Sequence, residues 1–87
     1  MTSMNTKTVQ APIDVLAGFQ SAGPTIPYKF RWNDRYYKIK NITLVTSKEI
    51  GNEKLFYFSA TDGANAFTLS FHPHTLLWKL EDFSPEA

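Results

Sequence analysis

The alternation of apolar and polar positions is clearest between Tyr28 and Ile39. Tyr28, Phe30 and Trp32 are separated by Lys29 and Arg31; beyond Asn33-Asp34, Tyr37 and Ile39 are separated by Lys38 and preceded by Arg35-Tyr36. Side chains on a strand point alternately to two faces. Asn and Asp tolerate the positive φ that a two-residue hairpin turn demands. A turn at Asn33-Asp34 therefore predicts a hairpin with Trp32 opposite Arg35, Arg31 opposite Tyr36, Phe30 opposite Tyr37, Lys29 opposite Lys38 and Tyr28 opposite Ile39. In that register Tyr28, Phe30, Trp32, Tyr37 and Ile39 share one face, while Lys29, Arg31, Tyr36 and Lys38 share the other. Slipping the pairing by one residue would mix the two sets.

The same pattern recurs downstream. Residues 55–61 and 66–71 alternate on either side of Asp62-Gly63-Ala64-Asn65, a turn by composition. Pairing them sets Ala60 against Phe67, Phe58 against Leu69 and Phe56 against Phe71, and gathers Tyr57, Ser59, Thr61, Thr68 and Ser70 on the opposite face. His72-Pro73-His74-Thr75 turns the chain again. A last strand over 76–81 is expected to place Leu76 against Phe71, Trp78 against Leu69 and Leu80 against Phe67. The third strand, from Arg35, changes phase: Tyr37 and Ile39 fall on one face, Ile42 and Leu44 on the other. A β-bulge or sharp bend near Lys40-Asn41 would return both pairs to the core; without it Ile42 and Leu44 face outward. A polar loop over 46–53 follows, with Gly51-Asn52 near its tip. Residues 12–19 fit either a short helix opened by Pro12, or an edge strand in which the β-branched Ile13 and Val15 flank Asp14. The β-branched pair favours the strand, and Gly23-Pro24 marks a loop after it.

These elements predict an all-β fold, a small antiparallel meander of five or six strands with one strongly apolar face. No helix is long enough to cover that face, and a sheet must bury it. The sheet therefore curls into a small barrel or half-barrel, or two copies associate. Residues 1–10 read as a disordered leader, 11–83 as a single β domain and 84–87 as a tail.

Composition supports a dense core: two Trp, four Tyr and seven Phe in 87 residues. A chain this short buries only roughly 60% of its unfolded surface, and each buried aromatic covers about 150–250 Å². Cysteine is absent, which excludes disulfides and thiolate zinc sites. No apolar run is long enough to span a membrane and no signal pattern opens the chain, so a cytoplasmic protein without a membrane partner is expected. A net charge of +1 supplies no global pull toward a polyanion.

Pro12-Ile13-Asp14-Val15, Gly23-Pro24, Phe30-x-Trp32-x-x-Arg35-x-Tyr37-x-Ile39, Phe67-x-Leu69 and Trp78-x-Leu80 follow one another in this order. Over residues 12–82 the chain resembles a small bacterial domain family of unknown function whose hallmark is a Phe-x-Trp-Arg-Gly-Arg-x-Tyr hairpin. It departs from that hallmark in the turn, where Asn33-Asp34 replaces Arg-Gly. The resemblance implies an all-β domain with its first strand at Ile13-Asp14-Val15. Some members of the family are encoded beside lesion-bypass DNA polymerases, which points toward nucleic acid. It implies no activity and no cofactor.

Candidate chemistry is local. Lys29, Arg31, Arg35, Lys38 and Lys40 are five of the nine basic residues and crowd the central hairpin with Asp34 as their only acid. With Tyr36 among them, Lys29, Arg31, Lys38 and Lys40 form a basic, aromatic face of the kind that single-stranded nucleic acid requires. The plainer interpretation is a solvated face whose lysines discourage edge aggregation, with Arg35 stacked on Trp32 as a cation–π pair. His72-x-His74 lacks a third ligand and has Pro73 between its imidazoles, so it reads as turn rather than metal site. The hydroxyl-rich face reads as ordinary wet strand. No nucleophile–base pair, carboxylate pair or phosphate loop is evident. The expected function is a non-catalytic interaction module that binds a protein partner or a second copy of itself, without a cofactor; the alternative is a single-stranded nucleic-acid-binding module acting through the hairpin's basic face.

Overall fold

A computed structural model of the chain describes residues 7–18 and 25–85. These residues form seven strands and no helix: β1 (Lys7–Gly18), β2 (Ile26–Trp32), β3 (Arg35–Lys38), β4 (Asn41–Ile50), β5 (Glu53–Thr61), β6 (Asn65–His72) and β7 (Leu77–Pro85). All belong to one antiparallel sheet of order β3-β2-β1-β7-β6-β5-β4. The all-β antiparallel sheet is as expected, but the strand count is seven rather than five or six, and β1 pairs with β7 where a simple meander would pair β3 with β4. β1 settles the ambiguity at 12–18 in favour of strand. It begins at Lys7, inside the expected leader, and β7 runs to Pro85, inside the expected tail. The rest of the leader, the Gly23-Pro24 loop and the tail's last two residues lie outside the described residues.

The central hairpin has the expected register, from Lys29 opposite Lys38 to Trp32 opposite Arg35, and the Ile39 amide donates to Tyr28 O at 2.9 Å. Asn33 and Asp34 both take positive φ, 53° and 61°, as a type I′ turn requires. Phe30 and Tyr37 are buried and Trp32 and Ile39 pack against the core. Tyr28 is the exception: it is 52% exposed. The β1–β2 pairing skips a residue here, with Leu16 opposite Lys29 and Ala17 opposite Pro27, so Tyr28 is bulged out and Pro27 takes the buried position. The Tyr28 ring then lies over Gly18, where an added Cβ would come within 2.5 Å of Cε2.

In a flat sheet β3 and β6 would lie roughly 19 Å apart, four strand spacings of about 4.8 Å. The Tyr37 and Phe67 rings are nevertheless 6.5 Å apart, and Phe30 meets Phe67 edge-on at 4.8 Å. The sheet has folded over its own apolar face. Its two edges are joined by Ile39-Lys40, whose amides reach opposite ways: Ile39 N to Tyr28 O of β2, Lys40 N to Thr61 O of β5, both 2.9 Å. That step from one edge to the other is the sharp bend expected near Lys40-Asn41, and it divides the expected third strand into β3 and β4. The β4–β5 register also shifts at Thr43. Ile42 packs against the core, but Leu44 faces solvent rather than returning to it.

Pairing of β5 with β6 is as expected, from Phe56 opposite Phe71 to Ala60 opposite Phe67. Asp62 holds the connecting turn. Its Oδ1 accepts the Ala64 and Asn65 amides at 2.9 and 2.7 Å, and its Oδ2 accepts Asn65 Nδ2 at 3.2 Å. Partial burial pushes the Asp62 carboxyl upward, but those hydrogen bonds outweigh it and the net shift is below the usual carboxylate value. The expected register of the last strand is corrected by two residues where Phe71 faces Trp78 and Leu69 faces Leu80, and by three where Phe67 faces Phe83. Two features cause this. The four-residue turn lies one position later than expected, over 73–76, ending on Leu76 at φ 61°. Glu81 is an extra residue between the Leu69–Leu80 and Thr68–Asp82 pairs, and this bulge brings Phe83 to the inner face.

Candidate functional site

The outer face of β1, β2 and β3 carries most of the expected site. Cross-strand pairing makes two rows, Leu16–Lys29–Lys38 and Asp14–Arg31–Tyr36. They frame a shallow depression of about 240 Å³ lined by Asp14, Leu16, Lys29, Arg31 and Tyr36. Tyr36 is 68% exposed. Two cations flank its ring, Lys29 Nζ at 5.1 Å and Arg31 Cζ at 5.9 Å from the centroid.

The acids temper this face. Arg31 Nη2 is hydrogen-bonded and ion-paired to Asp34 Oδ1 at 3.2 Å, and Asp14 is its neighbour on β1. Lys38 is exposed directly opposite Lys29, a like-charge pair. Lys40 is not with the others: its amide is bound to Thr61, and its side chain runs beside Gly63, with Nζ 3.4 Å from where a Cβ would lie. The expected stacking of Arg35 on Trp32 is replaced. The two are cross-strand partners, but the Trp32 ring is occupied by Phe83 at 4.9 Å and Tyr37 at 6.3 Å, and the cations gather on Tyr36 instead.

His72 ends β6 and His74 lies in the turn, where the Thr75 and Leu76 amides donate to His72 O. Among the described residues no three His, Cys, Asp or Glu side chains come together in a metal site. On the hydroxyl-bearing face Ser70 is fully buried and donates to Glu81 Oε2 at 2.6 Å, so that serine is committed to the fold.

A second feature was not legible beforehand. β4, read in part as a polar loop, is a ten-residue edge strand that, among the described residues, is paired on one side only. Gly51, at φ 63°, opens the two-residue turn to β5. Such a turn closes on a hydrogen-bonded pair, here Ile50 and Glu53. Bonded and non-bonded pairs then alternate. Leu44, Thr46 and Lys48 therefore bond to β5, while Val45, Ser47 and Glu49 turn their N–H and C=O groups to the free edge. Leu44 and Ile50 are 56% and 55% exposed on one face of this strand, and Val45 is exposed on the other. Whether a strand is an edge depends on the order of the whole sheet, so no local pattern could have announced it. β3, the opposite edge, is different: four residues long and guarded by Arg35 and Lys38.

Among the described residues no helix is long and apolar enough to cross a membrane. No protein-family model, curated protein or solved structure matches this chain.

Proposed function

We propose that this protein is a non-catalytic, cytoplasmic interaction module that accepts a partner strand along β4. The observation that carries this reading is the free edge itself. Residues 44–50 present three unpaired backbone N–H and C=O sets beyond the bulge at Thr43, with no proline and with Leu44, Val45 and Ile50 exposed. Strand addition uses such an edge: main-chain hydrogen bonds give affinity and alternate side chains give selectivity. The partner strand belongs to another protein or to a second copy of this chain.

A proline tests the reading selectively. The Ser47 amide faces the edge, so Ser47→Pro removes one donor from the docking surface and none from the fold. Thr46→Pro removes a bond to β5 and is expected to cost about 1 kcal/mol or more. Selection of displayed random peptides on the wild-type protein is expected to enrich extended sequences that Ser47→Pro no longer holds, with its melting temperature nearly unchanged. Equal retention by Ser47→Pro would place the contacts elsewhere.

A second reading rests on the Tyr36 face, where two cations flank an exposed ring beside Leu16. A single-stranded nucleic acid would lay a base on that ring and phosphates against Lys29, Arg31 and Lys38. On this reading, binding of oligothymidine falls steeply with salt and is abolished by Lys29→Glu with Lys38→Glu. Absence of binding at low salt removes it.

A further inference from the structure

We infer that the strand β4 accepts is β4 of a second copy of this chain, paired antiparallel about a two-fold axis through Ser47. This rests on β4 being the docking edge and adds the partner and the register. Only residues 45, 47 and 49 offer their backbone groups outward, so these must meet one another across the axis. Centring on Ser47 pairs Ser47 with its copy and Val45 with Glu49 of the other chain, joining all the edge-facing groups on residues 45–49 of both chains in six hydrogen bonds.

The side chains select this register from its neighbours. Directly opposed residues share a face. With the axis at Ser47, Leu44 of each copy faces Ile50 of the other, so the exposed apolar pair on each strand is covered twice over. Lys48 faces Thr46 and Glu49 faces Val45, and no like charges stand opposite. An axis at Lys48 opposes the two lysines. An axis at Thr46 sets Leu44 against Lys48, and it carries Ile42 against Ile50 only across the irregularity at Thr43. The chain is thus self-complementary at one register. Symmetric pairing of a patch with itself is the commonest route to a dimer, and the result is one continuous sheet through both molecules.

The chain has no cysteine, so a single introduced thiol reports position. In the proposed pair the two residues at position 47 have Cα atoms about 5.5 Å apart, within the span of a disulfide, whereas position 46 is separated from its copy by roughly 8 Å, beyond it. Ser47→Cys is expected to form a disulfide dimer at least tenfold faster than Thr46→Cys or Lys48→Cys. A mixture of Val45→Cys and Glu49→Cys is expected to give the mixed dimer in preference to either like pair. The interface is small, so sedimentation equilibrium on the unmodified chain is followed up to about 1 mM. Concentration-dependent dimer lost in Ser47→Pro supports the inference. Dimer with fastest cross-linking at another position overturns the register. A strict monomer with slow, uniform cross-linking overturns self-pairing; the docking edge is then judged separately by the displayed-peptide selection, which does not require a dimer.

Discussion

Phe30→Ala is expected to lower stability by about 3–5 kcal/mol, the range for removing a large buried aromatic. For a small domain that stands only about 5–15 kcal/mol above its unfolded state, this is enough to leave it marginal. Phe30 is 1% exposed, stacked on Tyr37 at 5.1 Å and set edge-on to Phe67 at 4.8 Å. It joins the neighbouring β2 and β3 to β6, which the sheet order keeps apart from them, so its loss opens a cavity where the sheet folds over itself. Tyr36→Ala, one position from Tyr37 but on the outer face, is expected to move the midpoint by less than about 0.5 kcal/mol. Urea denaturation of both variants checks this. Similar losses would mean that the two sides of the hairpin are not distinguished as core and surface.

Deleting Glu81 is expected to cost more than Glu81→Ala does, and for a reason beyond the loss of its carboxylate. Glu81 is the additional residue between two in-phase stretches of β7. Without it, Leu80 and Phe83 stand two positions apart and still share the inner face, so the ladder to β6 closes up in register and the damage falls on the side of β1. Between the Ala11–Leu80 and Thr8–Asp82 pairs, Val9 and Gln10 span Glu81 alone, and the deletion leaves them no residue to face. β1 must then slip or loop out by two residues, which displaces Val9 from the core or breaks the Thr8–Asp82 and Lys7–Phe83 pairs. Glu81→Ala keeps the bulge and loses only the acceptor of the buried Ser70 hydroxyl, at about 1–3 kcal/mol. Thermal melts of the two variants separate register from hydrogen bond: the deletion is expected to be the more damaging, and the reverse order would show that the carboxylate matters more than the spacing.

How much of this was legible in the residues follows from where the chain's geometry is local. The 28–39 hairpin could be read because a two-residue Asn-Asp turn fixes register and alternation then sorts every side chain. Pairing of β5 with β6 followed for the same reason. Tyr28 broke the pattern because a bulge against β1, a distant partner, reversed its face. The bend near Lys40-Asn41 could be read from the change of phase, but that it divides the strand, with Ile39 bonded to β2 and Lys40 to β5, depends on partners distant in the chain. The β7 register was missed because leucine is among the residues least expected at positive φ, yet Leu76 ends the turn there. At the candidate site, composition revealed the cations and Tyr36, while the acids that offset them and the separation of Lys40 emerged only from the strand order.

The pairing of β1 with β7 has a kinetic consequence. Every other ladder joins strands that follow one another in the chain, whereas Lys7 meets Phe83 and Ile13 meets Trp78. Closing so long a loop is the entropically slow step in assembling a sheet. During synthesis the other hairpins can form as they emerge, but the early half of β1 must wait for the ribosome to deliver β7, leaving Val9 and Ile13 without that neighbour in the nascent chain.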